Sequence, residues 1–272
     1  VLELPPLPSA VRVLRTDESD RLNALYTETF SPRNCVTCSG RGTFRWLDPA
    51  GEPADWKCSC EDQYLLYRWL LNAGIEKSYQ RLSWTDATGI SEPALDVAGD
   101  YVDNLSAYTA TGVGLVFWGT FGTGKSMLAA LLLKSLLVQG ADGFFTTFHS
   151  LLDAFTEGWN QQEGKRWFEH RIRHAGVLVI DDIGREYGGR NAVAETALDH
   201  VLRARVAGER PTIITSNRSL EDMGVLYSGN ALSLLSECSI VHQFTGADFR
   251  PQQRERKVAE AKLRLVRPIT VD

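Results

Sequence analysis

Two patterns of apolar positions alternate along the chain. The first is a short run with no polar partner face: Leu115–Trp118, Gly143–Phe148, Val177–Ile180, and Pro211–Asn217, which turns polar at its end. Such runs, rich in β-branched and aromatic residues, read as strands buried on both faces of a parallel sheet. The second pattern is helical. Met127–Val138 is packed with helix formers and closed by Gly140; Leu151–Trp159, about Glu163–His174 and Asn191–Arg205 follow the same rule. Strands and helices taking turns predict an α/β core that begins near Leu115. Upstream, Leu22, Leu25, Tyr26 and Phe30 space one short amphipathic helix within 17–30. Tyr64–Asn72 reads as a second, ended by Gly74, and a third is expected over about 95–110, after Pro93. Residues 1–10 hold three prolines and read as extended, and 250–267 reads as a basic helical or frayed tail.

Composition narrows the class without naming a function. The chain has 272 residues, 43% apolar and 23% charged, enough for one large domain or a core with a small appendage. The net charge of −5 excludes a wholesale basic coat, so any nucleic-acid contact must be a local patch. One patch is legible: the 163–174 helix carries Lys165, Arg166, Arg171 and Arg173 interleaved with Trp167 and Phe168. That is either a single-strand surface or a solvated helix with its aromatics in the core. No stretch approaches a membrane span, since the longest apolar run, around Leu128–Val138, is broken by Lys134. No secretory pattern opens the sequence, and a cytoplasmic protein without membrane contact is expected.

The chemistry sits where strands end. Gly119, Thr120, Phe121, Gly122, Thr123, Gly124, Lys125 and Ser126 spell the phosphate-binding loop G-x-x-x-x-G-K-[ST], between a strand and a helix as that loop requires. Glycines let backbone N–H groups close around a polyphosphate, and the following helix adds its positive end. Lys125 would reach the β- and γ-phosphates of ATP and Ser126 would ligate Mg²⁺. Asp181 and Asp182 close the Val177–Ile180 strand, where Asp181 would hold Mg²⁺ through water and Asp182 would orient or deprotonate the attacking water. The bland alternative for Asp182 is a helix cap or turn acid. Asn217 ends the next strand, placed either to hold a water near the γ-phosphate or simply to turn the chain.

Cysteines add a second chemistry. Cys35 and Cys38, then Cys58 and Cys60, fall in one short segment, and four thiolates suit tetrahedral Zn²⁺. An iron–sulfur cluster and reduced or disulfide-linked thiols are the alternatives. Cys238 lies in an apolar stretch and reads as a small core residue.

In order, Cys35-x-x-Cys38-x-Gly40-x-Gly42, a C-x-C, Ala73-Gly74-Ile75, Leu82-Ser83-Trp84, the phosphate loop, Ile180–Gly184, Pro211–Asn217 and Gly246–Arg250 resemble the DnaC/IstB branch of AAA+ ATPases. The resemblance covers about Cys35 to Arg250. It implies an AAA+ P-loop ATPase core, a parallel sheet flanked by helices, over 86–250. It further implies an N-terminal partner-binding region over 1–85 holding a small four-cysteine zinc module at 35–60, and a basic tail over 251–272. By position, Asn217 matches sensor 1 and Arg250 matches sensor 2. The implied activity is ATP-dependent loading of a replicative hexameric DNA helicase onto single-stranded DNA, with ATP, Mg²⁺ and Zn²⁺ bound and self-assembly on ATP binding. A transposition helper that delivers a transposase is the runner-up; a P-loop small-molecule kinase and a non-enzymatic zinc adaptor are more distant rivals. The sequence departs from the family at Ser233-Leu234-Leu235, where an arginine finger usually stands. Arg203, Arg205 or Arg218 would then have to supply that charge, or hydrolysis would be weak.

Overall fold

The computed structural model describes residues 43–47, 50, 52–158, 162–184, 192–227, 229–263 and 267–271. The chain forms two compact units, Val1–Arg81 with Arg267–Thr270, and Leu82–Val266 with Val271–Asp272.

In the first unit, strands β1 (Thr43–Leu47) and β2 (Pro53–Lys57) pair antiparallel and lead into helices α1 (Ser59–Asn72) and α2 (Lys77–Gln80). The sequence pattern gave no warning of this hairpin, although Phe44 and Trp46 alternate with polar residues and Pro49 and Gly51 punctuate the connection. Helix α1 ends as expected: Gly74 at φ 75 accompanies bonds from Gly74 N–H to Leu71 O (3.0 Å) and Ile75 N–H to Leu70 O (2.9 Å). The Gln63 amide clasps the backbone of Ile269 from both sides, accepting from its N–H at 2.7 Å and donating to its C=O at 3.1 Å.

The second unit starts with α3 (Glu92–Asp103) and α4 (Leu105–Thr111), then β3 (Gly114–Gly119), α5 (Lys125–Val138), β4 (Gly143–Thr147), α6 (Phe148–Gly158) and α7 (Gln162–Phe168). A wide π turn over Glu169–Arg173 leads to β5 (Val177–Ile183), α8 (Ala192–Ala207), β6 (Thr212–Ser216), α9 (Leu220–Leu226), α10 (Gly229–Glu237), β7 (Ser239–Phe244) and α11 (Arg250–Lys262). The five strands lie parallel in the order β4-β5-β6-β3-β7. The parallel-sheet core expected from the apolar runs is therefore present. Strand β3 lies between β6 and β7, so the loop that follows it opens at the point where strand order reverses, the usual place for ligands in such sheets.

Helix α5 is buried nearly all round, from Leu128 through Leu137, so no amphipathic stripe marks it. Even Lys134 is buried, and its ammonium donates to Leu82 O at 2.5 Å.

Two helices differ from expectation. The 95–110 helix breaks at Asn104, whose amide donates to Asp100 O (3.1 Å) and Asp100 Oδ1 (2.9 Å) and so competes with the helical ladder. The 163–174 helix is α7 followed by the π turn, closed by His174 N–H on Glu169 O at 3.0 Å. One widened turn leaves the apolar spacing of Phe168 and Ile172 intact, so the pattern could not show it. The expected 17–30 helix lies outside the described residues.

Candidate nucleotide site

The carboxyl ends of β3, β5, β6 and β7 converge on the residues that the sequence singled out. The loop after β3 runs through Gly122 at φ 76 and Gly124 at φ 92, left-handed backbone that other residues adopt at a cost. A Cβ at Gly122 would collide with Asp248, and one at Gly124 would press on Ile90. Lys125 opens α5, and its ammonium donates to Gly119 O (3.0 Å) and Thr120 O (2.7 Å). Thr123 Oγ1 donates to Thr120 O at 2.9 Å. Burial pulls the Lys125 pKa down to about 8, against the opposing pull of Asp182 and Asp181; Arg250 pushes it the same way as burial. Ser126 is the next residue of the helix.

Strand β5 delivers the acids through an irregularity. Its register with β6 slips between Ile180 and Ile183, and Asp182 sits at φ 62. A non-glycine residue in that region needs support, and it has it. The Asp182 N–H donates to Thr215 Oγ1 at 2.9 Å, and the Asn217 amide donates to Asp182 Oδ1 at 2.7 Å. The Thr215 hydroxyl in turn donates to Asp181 Oδ1 at 2.6 Å, and Asp181 is buried. Asn217 is thus tied to Asp182. Thr215 was missed, because a threonine inside an apolar strand looks like β-propensity alone.

Arg250 starts α11, its guanidinium carbon 5.9 Å from the centre of the Phe121 ring. Its approach is fixed from behind. The Phe249 N–H donates to Gly122 O at 3.0 Å, the Phe249 ring fills the space a side chain at Gly89 would need, and Arg256 pairs with Asp86. Phe249 and Asp248 were not singled out from the sequence, where only Arg250 carried a recognisable charge.

Residues 99–255, more than half the chain, match the family of IstB-like ATP binding proteins. The chain belongs to that family. It is 26% identical over 131 residues to the replicative helicase loader DnaC of Escherichia coli (strain K12), covering 48% of this chain and 51% of that protein. It is 29% identical over 156 residues to the ATP-binding protein of insertion sequence IS5376 from Geobacillus stearothermophilus, covering 54% and 59%. The crystal structure of the DnaC helicase loader matches the fold with a TM-score of 0.52 at 24% identity, over 56% of this chain and 89% of that one. The chain spans about half the length of the curated relatives it matches.

Within this IstB-like frame the alternative finger arginines separate cleanly. Arg205 is wholly buried. It donates to Thr212 Oγ1 (2.9 Å) and to the carbonyls of Ile172 (3.1 Å), Ala175 (2.8 Å) and Pro211 (2.6 Å). A side chain so spent inside its own subunit cannot reach a neighbour, so Arg205 is removed from the candidates. Arg203 is held by Asp199 at 2.7 Å. Arg218 is exposed and lies across Gly184, next to Asn217. Leu234 is half-buried on α10.

The basic helix resolves unevenly. Phe168 is buried in the core, and Trp167 stands edge-on to Phe144 with ring centres 5.7 Å apart. Arg173 is bound to both Glu169 oxygens (2.5 and 2.6 Å), and the Arg171 guanidinium lies 5.6 Å from the Phe144 ring centre. Lys165 and Arg166 are exposed.

Of the four cysteines, Cys35 and Cys38 lie outside the described residues, as does the Cys60 side chain. Cys58 is buried immediately after β2, at the start of α1. No group of three or more metal-type side chains gathers among the described residues. No helix there is long and apolar enough to cross a membrane. Cys238 is half-buried just before β7, not the core residue that the sequence suggested.

Proposed function

We propose that the chain is an ATP-dependent loader of a replicative DNA helicase onto single-stranded DNA. The observation that carries the nucleotide part is the meeting of Lys125, Asp181, Asp182, Asn217 and Arg250 around one glycine loop. In this reading the β- and γ-phosphates of ATP take Lys125 away from the Gly119 and Thr120 carbonyls. Gly119, Thr120, Phe121, Gly122, Thr123 and Gly124 wrap the phosphates, while Ser126 would ligate Mg²⁺ and Asp181 would hold it through water, where the ion would offset phosphate charge. Asp182, kept in place by Asn217, orients the attacking water, and Arg250 leaves Phe121 for the γ-phosphate. Thr215 links the two positions, accepting from the Asp182 backbone N–H and donating to the Asp181 carboxylate.

The loader assignment rests on the similarity to DnaC and on the first unit, compact in itself and able to carry a partner while the ATPase unit, proposed to span 86–250, turns over. We assign that unit a tetrahedral zinc site made of Cys35, Cys38, Cys58 and Cys60. Thr43 pairs with Lys57, so the chain enters β1 at the end of the hairpin from which Cys58 leaves. A transposition helper is the second reading, favoured by the longer match to the IS5376 protein. Turnover of ATP with and without single-stranded DNA, followed by capture of a replicative helicase in the presence of ATP, decides. Helicase captured only with ATP supports the loader. Capture of a transposase instead, with no helicase, overturns it.

A further inference from the structure

Strand β5 gains one residue on β6 at the two acids. Ile180 lies opposite Ile214 and Ile183 opposite Ser216, so three steps along β5 match two along β6, as in a β-bulge. Asp182 takes left-handed backbone there, at φ 62, and Gly184 follows at φ 94. A bulge interrupts the backbone ladder, and consecutive side chains of β6 stand in for it. Thr215 Oγ1 accepts from the Asp182 N–H at 2.9 Å, the Ser216 hydroxyl donates to Ile183 O at 2.9 Å, and the Asn217 amide donates to Asp182 Oδ1 at 2.7 Å. Thr215 and Ser216 are 1% and 0% exposed, so bulk water has no access to replace their bonds.

The two buried hydroxyls differ in where their protons go. Ser216 gives its proton to a backbone carbonyl, which serves the sheet. Thr215 gives its proton to the Asp181 carboxylate, at 2.6 Å, while its lone pair takes the Asp182 N–H. A group needed only to satisfy the bulge would have no reason to bond a carboxylate as well. Non-glycine residues at positive φ persist only where the surroundings hold them, and bulges beside sites re-aim side chains. We propose that Thr215 is a positioning residue for ATP hydrolysis. It holds the Asp182 backbone in the bulge that aims the carboxylate at the attacking water, and it ties that aim to Asp181. This rests on the ATPase reading above and adds the group that sets its geometry. Being buried, Thr215 acts through the two acids and not on ATP itself.

The test compares Thr215→Val, which keeps the size but loses both bonds, with Thr215→Ser, which keeps both. Hydrolysis is followed in the whole protein as single turnovers, with protein in excess of ATP, so that the chemical step is read apart from product release. In Thr215→Val that step should slow about 100-fold, the cost of a small misplacement at a reacting group, while ATP affinity stays within about threefold of the parent. In the ligand-free protein the Asp182 amide should lose hydrogen-exchange protection. Thr215→Ser should restore rate and protection together. A purely structural hydroxyl would shift the urea midpoint without splitting rate from affinity. Should Thr215→Val fail to fold, Thr215→Cys carries the test, because its thiol fills the space and bonds only weakly. An undiminished rate in the folded variant overturns the proposal, and so does a Thr215→Ser as slow as Thr215→Val. Rate and ATP affinity lost in equal measure would also overturn it, since Thr215 would then hold the site as a whole. Each of these outcomes leaves the ATPase reading standing. A parent that binds ATP without any turnover removes that reading and the proposal with it.

Discussion

Lys125 shows how one side chain couples burial to ligand chemistry. With a pKa near 8, the ammonium of the ligand-free protein is only marginally charged at mildly alkaline pH. A bound polyphosphate favours the charged form and raises the pKa. Binding therefore takes up a proton once the pH exceeds about 8, and ATP affinity should be flat below that value and fall above it, by at most tenfold per pH unit. Calorimetry in buffers of different ionisation enthalpy reads the proton directly. Lys125→Ala should abolish this pH dependence and cost about 2–3 kcal/mol of binding, one to two decades, with the fold intact. Arg205 is the opposite case, a cation with a purely internal task. Burial lowers its pKa, yet its bonds to four carbonyls and Thr212 hold it in place. Arg205→Met should leave those carbonyls unsatisfied and lower unfolding stability by about 3 kcal/mol or more. A shifted urea midpoint with unchanged slope would show it.

At the scale of elements, the strands β3 to β6 were legible, whereas the β1–β2 hairpin, β7 and the subtleties of helices were not. Val177–Ile180 and Leu115–Trp118 lie in β5 and β3, and the Pro211–Asn217 run contains β6, because a strand buried on both faces leaves a largely apolar run. The glycine motif placed Lys125 for the same reason it exists, the backbone conformations at Gly122 and Gly124. What stayed hidden depends on contacts distant in sequence. The bulge at Asp182 is stabilised by Thr215 and Asn217 from another strand, and no local pattern encodes that. Likewise the four cations of the 163–174 segment look equivalent in sequence, but α7 and the π turn divide them. Lys165 and Arg166 face solvent, whereas Arg171 and Arg173 are engaged with Phe144 and Glu169. Lys165→Ala with Arg166→Ala should therefore weaken single-strand binding and reduce its salt slope by about 1.4, two phosphate contacts' worth. A titration of affinity against salt concentration measures this slope directly.

The whole molecule adds questions of metal and assembly. If zinc holds the first unit together, freshly purified reduced protein should carry one zinc ion per chain. Its removal should loosen the hairpin and α1 while the sheet of the second unit keeps its hydrogen-exchange protection, because the metal's binding energy is local folding energy. Protein free of zinc, yet equally protected in the first unit, would refute the site. Leu234 is the position that tests assembly. A finger supplied across a subunit interface typically contributes about 10³–10⁵ in turnover, and a leucine has no charge to offer a neighbour's γ-phosphate. With Arg205 sealed in the core and Arg203 held by Asp199, Arg218 is the arginine of the original three still facing solvent near the site. The isolated protein should accordingly bind ATP well and hydrolyse it slowly, even when concentrated. Leu234→Arg should raise turnover, and the gain should grow with protein concentration, since it needs a second subunit. Arg218 borders Asn217 of its own subunit, so Arg218→Ala should lower whatever turnover exists by the same factor at every concentration. Brisk turnover that collapses on Arg218→Ala only in concentrated protein would instead make Arg218 the finger in trans. If Leu234→Arg changes nothing at any concentration, Leu234 is not at the interface, and its half-buried place on α10 is all it contributes.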